Sequence, residues 1–214
     1  CVKRILVAIV ENFLIAIAGY TDTRTLQILK INKMKRFGYL YDRICSYDNL
    51  LSAFYHAKHN KGQRKEIVEF ERYLEVNLRQ IQYELQTLTY HTSQYILFKK
   101  YEPKERLIYK LPFRDRVVHW AIMLVVEPIW VSNFTSDTFA CIKGRGIHPM
   151  ISKVKSDLRK DVEGTTYCLK LDIRKFYPSI DHEILKRVIR KKIKDPKLLF
   201  LLDEIIDSAD GVPI

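Results

Sequence analysis

An aspartate that closes an apolar run is costly to bury unless something takes up its charge. Residues 166–173 alternate in character. Tyr167, Leu169, Leu171 and Ile173 fall on one side, and Cys168, Lys170 and Asp172 on the other, which is the period-two pattern of a strand. Asp172 lies at the end of that strand, ahead of the aromatic pair Phe176-Tyr177 and a break at Pro178-Ser179. A divalent metal is the usual compensation for such a carboxylate where phosphoryl transfer is done. A hydrogen-bonded turn is the structural alternative, and the residues by themselves leave both open. Upstream, Cys141-Ile142-Lys143-Gly144-Arg145-Gly146 is a glycine-bearing turn rich in cations. Its lysine and arginine suit phosphate groups, or are ordinary loop cations, and its glycines suit tight turning.

The elements that must position these residues can be read from periodicity. Ile67, Phe70, Leu74, Leu78, Ile81, Leu85 and Leu88 recur at steps of three and four, predicting one packing helix over 65–90. Its other face, with Lys65, Glu69, Arg72, Glu75 and Arg79, is a solvated surface. Residues 95–98 and 106–109 are β-prone runs around a polar turn at 102–105, a two-stranded ribbon. A helix is expected from Asp115, ending near Glu127 because Pro128 disfavours a helical residue before it. Further helices are expected over 148–160, after a cap at Ser179 or Asp181, and over 196–208.

The whole chain is basic. It has 37 Lys+Arg against 25 Asp+Glu in 214 residues, a net charge of +12. Such an excess favours a polyanion as partner, nucleic acid before anionic membrane; a basic surface serving solubility is the plain alternative. The four cysteines, Cys1, Cys45, Cys141 and Cys168, form no C-x-x-C pair and no zinc-type cluster. They read as free thiols of a cytoplasmic protein, with Cys168 a small core residue. The stretch 1–33 differs from the rest. It is apolar but interrupted by Glu11, too charged mid-run for a membrane span. The expectation is that Met34 is the natural start and that 1–33 is upstream translation; the signal-like Ala16-Ile17-Ala18 keeps a secretory leader as the alternative.

The segment LDIRKFYPSIDH over 171–182 resembles the first catalytic-aspartate motif of bacterial reverse transcriptases. RLIYKLPFRDRVVH over 106–119 and FTSDTFACIKGRG over 134–146 are similar to the fingers motifs of that family. DSADGVPI over 207–214 is similar to the approach to its G-x-P motif. The resemblance covers about 34–214, with the four motifs in order, and its wording is most like the enzymes of diversity-generating retroelements and group II introns. It implies an α/β (α+β) fold: a helical region over 34–100, polymerase fingers over 101–160, and the first part of a palm over 161–214.

The resemblance further implies an RNA-directed DNA polymerase working with Mg²⁺, deoxynucleoside triphosphates, template RNA and a DNA primer or cDNA, with an accessory retroelement protein as a possible partner and no membrane. On it, Asp172 is the catalytic carboxylate and, with the carbonyl of Ile173, a magnesium ligand. Arg106, Arg116 and Tyr177 face the incoming nucleotide, Tyr177 excluding a 2′-hydroxyl. Lys110, Arg114, Lys143 and Arg145 grip the template. Plainer readings stand beside these: a local Asp115-Arg116 pair at a helix start, Asp181-His182 as cap and surface, and His119 and His148 as structural histidines. The family's aromatic-x-Asp-Asp motif does not occur in these 214 residues. The chain alone is therefore expected to be inactive, because one carboxylate does not satisfy two near-octahedral magnesium ions. The rival reading is a non-catalytic RNA-binding relic or defence module of the same ancestry.

Overall fold

The structure, a computed structural model, describes residues 35–208 apart from 102, 104, 175, 177 and 178. The expectations for 1–33, for Tyr177 and for 209–214 fall outside the described residues. The chain is of mixed α/β type. Helices α1 (Tyr41–Ile44), α2 (Tyr47–Lys58), α3 (Lys65–Arg72) and α4 (Leu74–Gln86) lead into strands β1 (Ile96–Lys100) and β2 (Arg106–Lys110). Helices α5 (Phe113–Val131), α6 (Ile147–Lys160), α7 (His182–Arg190) and α8 (Pro196–Asp207) follow. No described helix is long and apolar enough to cross a membrane.

The chain divides into two compact units. One contains the described residues of Met34–Val126 and Ile180–Ile214, the other those of Glu127–Ser179. The core of the first unit is assembled from both of its segments: Ile44, Leu50, Phe54, Ile67, Leu78, Leu85, Val117, Ile122, Ile193, Leu198 and Ile205 are all but sealed from solvent. The rings of Phe54, Phe70 and Phe113 meet at its centre, Phe70 edge-on to Phe113 at 5.1 Å and Phe54 edge-on to it at 6.0 Å, geometries that favour aromatic pairs. The two segments are also tied through the backbone. Phe37 N–H donates to the Lys192 carbonyl at 2.7 Å, and Lys194 N–H to the Phe37 carbonyl at 2.8 Å.

The ribbon is antiparallel, pairing Ile96 with Lys110 and Lys100 with Arg106. Capping follows the residue types. Ser46 accepts from Asn49 N–H at the start of α2, and Asp181 accepts from Ile184 N–H at 2.9 Å at the start of α7.

Four expectations need correction. The single helix over 65–90 is two, broken at Tyr73, whose φ of −119° and ψ of 39° leave the helical region. The Asn77 amide donates to the freed Phe70 carbonyl at 2.9 Å, a local bond of the kind that competes with the helix ladder. Helix α5 does not stop at Glu127 but runs through Pro128 to Val131. Proline sacrifices one hydrogen bond there, while Ser132 N–H still reaches the Pro128 carbonyl at 3.1 Å. The strand over 166–173 does not form: those residues are irregular and exposed, Tyr167 at 93% and Leu169 at 81%. A strand exists only against a neighbour that takes its backbone hydrogen bonds, and none of the described residues pairs with this segment. Cys168, expected in a core, is exposed with it.

Candidate nucleic-acid interface

Two groups of sequence-predicted residues are each brought together, one in each unit. In the first unit, Lys110 ends β2 and Arg116 lies in the first turn of α5. Both reach the carboxylate of Glu66 on α3: Lys110 Nζ lies 3.0 Å from Oε2, and Arg116 Nη2 donates to Oε1 at 2.6 Å. The Arg116 guanidinium also stands 5.1 Å over the Phe113 ring, within cation–π range. Burial works against the Glu66 charge, yet the hydrogen bond from Lys110 and the charges of Arg116 and Lys110 outweigh it and hold the carboxyl below the usual range. Arg114, in the same first turn of α5, pairs with Glu84 of α4 and stacks 5.6 Å over Tyr90. Arg106 is placed in β2 opposite Lys100.

Asp115, for which a local pair with Arg116 was the plainer alternative, turns inward and is fully buried. It accepts from Tyr90 O–H at 2.8 Å and from Ser93 N–H at 3.2 Å. Burial, then the Asp115 charge, push the Tyr90 phenol far above its ordinary value, so tyrosine is the donor. One turn on, His119 is buried. Burial lowers its pKa to about 3, keeping the imidazole neutral as a structural residue.

In the second unit, Lys143, Gly144 and Arg145 form one tight turn. Gly144 has φ +79°, the left-handed region that glycine adopts without penalty. Arg145 N–H closes the turn on the Ile142 carbonyl at 3.0 Å. The Arg145 side chain donates to the Thr135 carbonyl at 2.9 Å and to that of Thr138 at 3.4 Å, so it anchors the turn to the preceding loop, while Lys143 is exposed.

Asp172 and Ile173 stand in the irregular segment, with Asp172 exposed. The burial cost from which the sequence argued for a metal is therefore absent in this conformation. A carboxylate oxygen and a backbone carbonyl are hard donors that suit Mg²⁺ in type but not in number. No group of three or more His, Cys, Asp or Glu among the described residues can hold an ion.

Glu66, Glu84 and Tyr90, which set the state of the predicted cations, carry no local signal. Each acts across 25 to 50 residues of chain, and only the fold reveals it.

No protein-family model matches the chain. It is 26% identical over 98 residues to nuclear intron maturase 1, mitochondrial, of Arabidopsis thaliana, covering 46% of this chain and 13% of that protein. It is 28% identical over 97 residues to protein YkfC of Escherichia coli strain K12, covering 45% of this chain and 26% of that one. Nuclear intron maturase 2, mitochondrial, of A. thaliana is 24% identical over 103 residues, 48% of this chain and 13% of its own length. The matched stretch thus spans roughly an eighth to a quarter of each relative. The similarity to the maturases supports a reverse-transcriptase-like ancestry for this chain.

Proposed function

We propose that this chain is the fingers and opening palm region of an RNA-directed DNA polymerase, and that by itself it binds RNA without extending a primer. The observation that carries the reading is the ordered motif set that includes the Asp172 segment, in a chain similar to proteins named intron maturases. In this reading template RNA, primer and deoxynucleoside triphosphates are the ligands. Asp172 and the Ile173 carbonyl supply part of a magnesium site, Arg106 and Arg116 face the triphosphate, and Tyr177 walls off a 2′-hydroxyl.

A second reading, a non-catalytic RNA-binding module, is favoured by one specific observation: Lys110, Arg114 and Arg116 already have carboxylate partners within the chain. The test is RNA-templated primer extension by the complete protein encoded by the gene, with Mg²⁺, beside its Asp172→Ala variant. The polymerase reading expects DNA synthesis that the variant loses. Synthesis untouched by Asp172→Ala, or RNA binding with no synthesis from the complete protein, overturns it. Tyr177→Ala in an active complete protein is expected to admit ribonucleotides, and an unchanged sugar preference would remove Tyr177 from that role.

A further inference from the structure

The predicted cations of the first unit are largely neutralised, which raises the question of where the surplus positive charge is free to act. Helix α6 provides such a place. Ser152, Lys155, Ser156, Arg159 and Lys160 line one shallow groove along it, at spacings of three, four, seven and eight from Ser152, which is a single helix face. Lys155, Arg159 and Lys160 are exposed. Among the described residues none of the three has an ion-pair partner; the one acid of the helix, Asp157, is engaged by Lys153 at 2.5 Å. Helix-dipole complementarity accounts for cations in the last turn, where Arg159 and Lys160 stand. It does not account for Lys155 or the two hydroxyls, which continue the stripe toward the N-terminus.

We propose that this face of α6 is a contact surface for the phosphate backbone of RNA, with Lys155, Arg159 and Lys160 as the charged contacts and Ser152 and Ser156 as hydroxyl donors. Successive turns place cations about 6 Å apart along the axis, so one strand can be followed by consecutive side chains. Backbone recognition of this kind is electrostatic and independent of sequence.

RNA is chosen over a lipid surface because the proposed function supplies an RNA ligand and the chain is similar to proteins named intron maturases. Ile147, Met150, Ile151, Val154 and Leu158 form the apolar line of α6. At 100° per residue the cationic stripe centres well over a right angle away from that line. An exposed apolar line with cations beside and behind it is also the pattern of a helix lying on an anionic membrane, so vesicle binding is an arm of the test.

The inference deepens the RNA-binding part of the proposed function and rests on it. The experiment measures binding of the chain to a labelled single-stranded RNA across a potassium chloride series. It compares the parent with the triple variant Lys155→Gln, Arg159→Gln, Lys160→Gln, and with a charge-matched triple at Lys191, Lys194 and Lys197. Three lost phosphate contacts should flatten the slope of log affinity against log salt by about 2 for a single strand, with the matched triple changing it much less. A charge-retaining variant (Lys155→Arg, Arg159→Lys, Lys160→Arg) should keep the parental slope. Equal flattening by both triples, or none in the α6 triple, overturns the assignment while leaving RNA binding intact. So does loss of binding to phosphatidylserine vesicles with RNA affinity unchanged. A parent chain that binds no RNA overturns this inference and the RNA-binding reading together.

Discussion

Glu66 is the hinge of the first group of cations, because Lys110, predicted to grip the template, and Arg116, predicted to face the incoming nucleotide, both meet it instead. The site is part-buried rather than solvent-screened, so its ion pairs exceed the worth of ordinary surface pairs. Glu66→Gln is expected to lower stability by about 1–2 kcal/mol, read by urea denaturation. It is also expected to raise RNA affinity, since Lys110 loses its internal counter-charge; unchanged affinity would place Lys110 outside the interface. The sign with pH follows from the lowered Glu66 carboxyl. Its contribution is present above the unfolded carboxylate range and lost as pH falls through the folded value. Tyr90 makes a second residue-scale case. Tyr90→Phe leaves the fully buried Asp115 with Ser93 N–H as the remaining donor to Oδ1, and is expected to cost about 2 kcal/mol. A loss near zero would mean that water replaces the phenol.

At the scale of elements, Asp195 joins parts of the chain that lie far apart in sequence. It caps α8 through Leu198 N–H at 3.3 Å and accepts from Leu40 N–H at 2.7 Å and Tyr41 N–H at 3.0 Å. Burial opposes its charge, but these backbone donors outweigh it and hold the carboxyl below its ordinary value. Asp195→Ala orphans buried donors at the starts of both α1 and α8, and is expected to cost about 3 kcal/mol; Asp195→Asn, which keeps an acceptor, should cost less. Equal losses would mean that charge rather than acceptance matters. Such elements show what the sequence made legible. The ribbon, the helices after Asp181 and Asp195 and the inward face of α5 follow from local pattern, because caps and periodicity act within a few residues. The break at Tyr73 was hidden, since the apolar stripe keeps its spacing across it. The strand ending at Asp172 was overpredicted for the complementary reason: alternation records which face a segment would bury, while a strand also needs a neighbour, and that depends on residues elsewhere. Legibility of the candidate site divides the same way. The positions of Lys143 and Arg145 in one turn could be read from Gly144. The burial of Asp115 could not, because its partner Tyr90 lies 25 residues away.

For the whole molecule, acid stability depends on what must take up protons on unfolding. His119 lies within the core of the first unit, 4% exposed, and its Nε2 has no hydrogen-bond partner among the described residues. Burial therefore favours the neutral ring and lowers its pKa to about 3, against about 6.5 for an unfolded chain. A depressed folded value means that the unfolded state binds the proton first. Stability is thus full above about pH 6.5 and falls as pH drops from there toward 3, where the folded ring also protonates. The lowered carboxyls of Glu66 and Asp195 act lower on the scale, below the ordinary carboxylate range, so the upper part of this window belongs to His119. The net charge of +12 adds self-repulsion in acid, but that contribution is common to the parent and to a neutral variant. His119→Leu replaces the ring with an apolar side chain that never protonates. It removes the buried Nε2 and is expected to flatten the decline in unfolding free energy between pH 6.5 and 4.5, whatever it does to stability at pH 7.5. Urea titrations of both proteins across that range decide the matter. Parallel pH profiles would show that the imidazole is protonated or water-linked in the folded chain, and that the acid sensitivity of the molecule originates in its carboxylates.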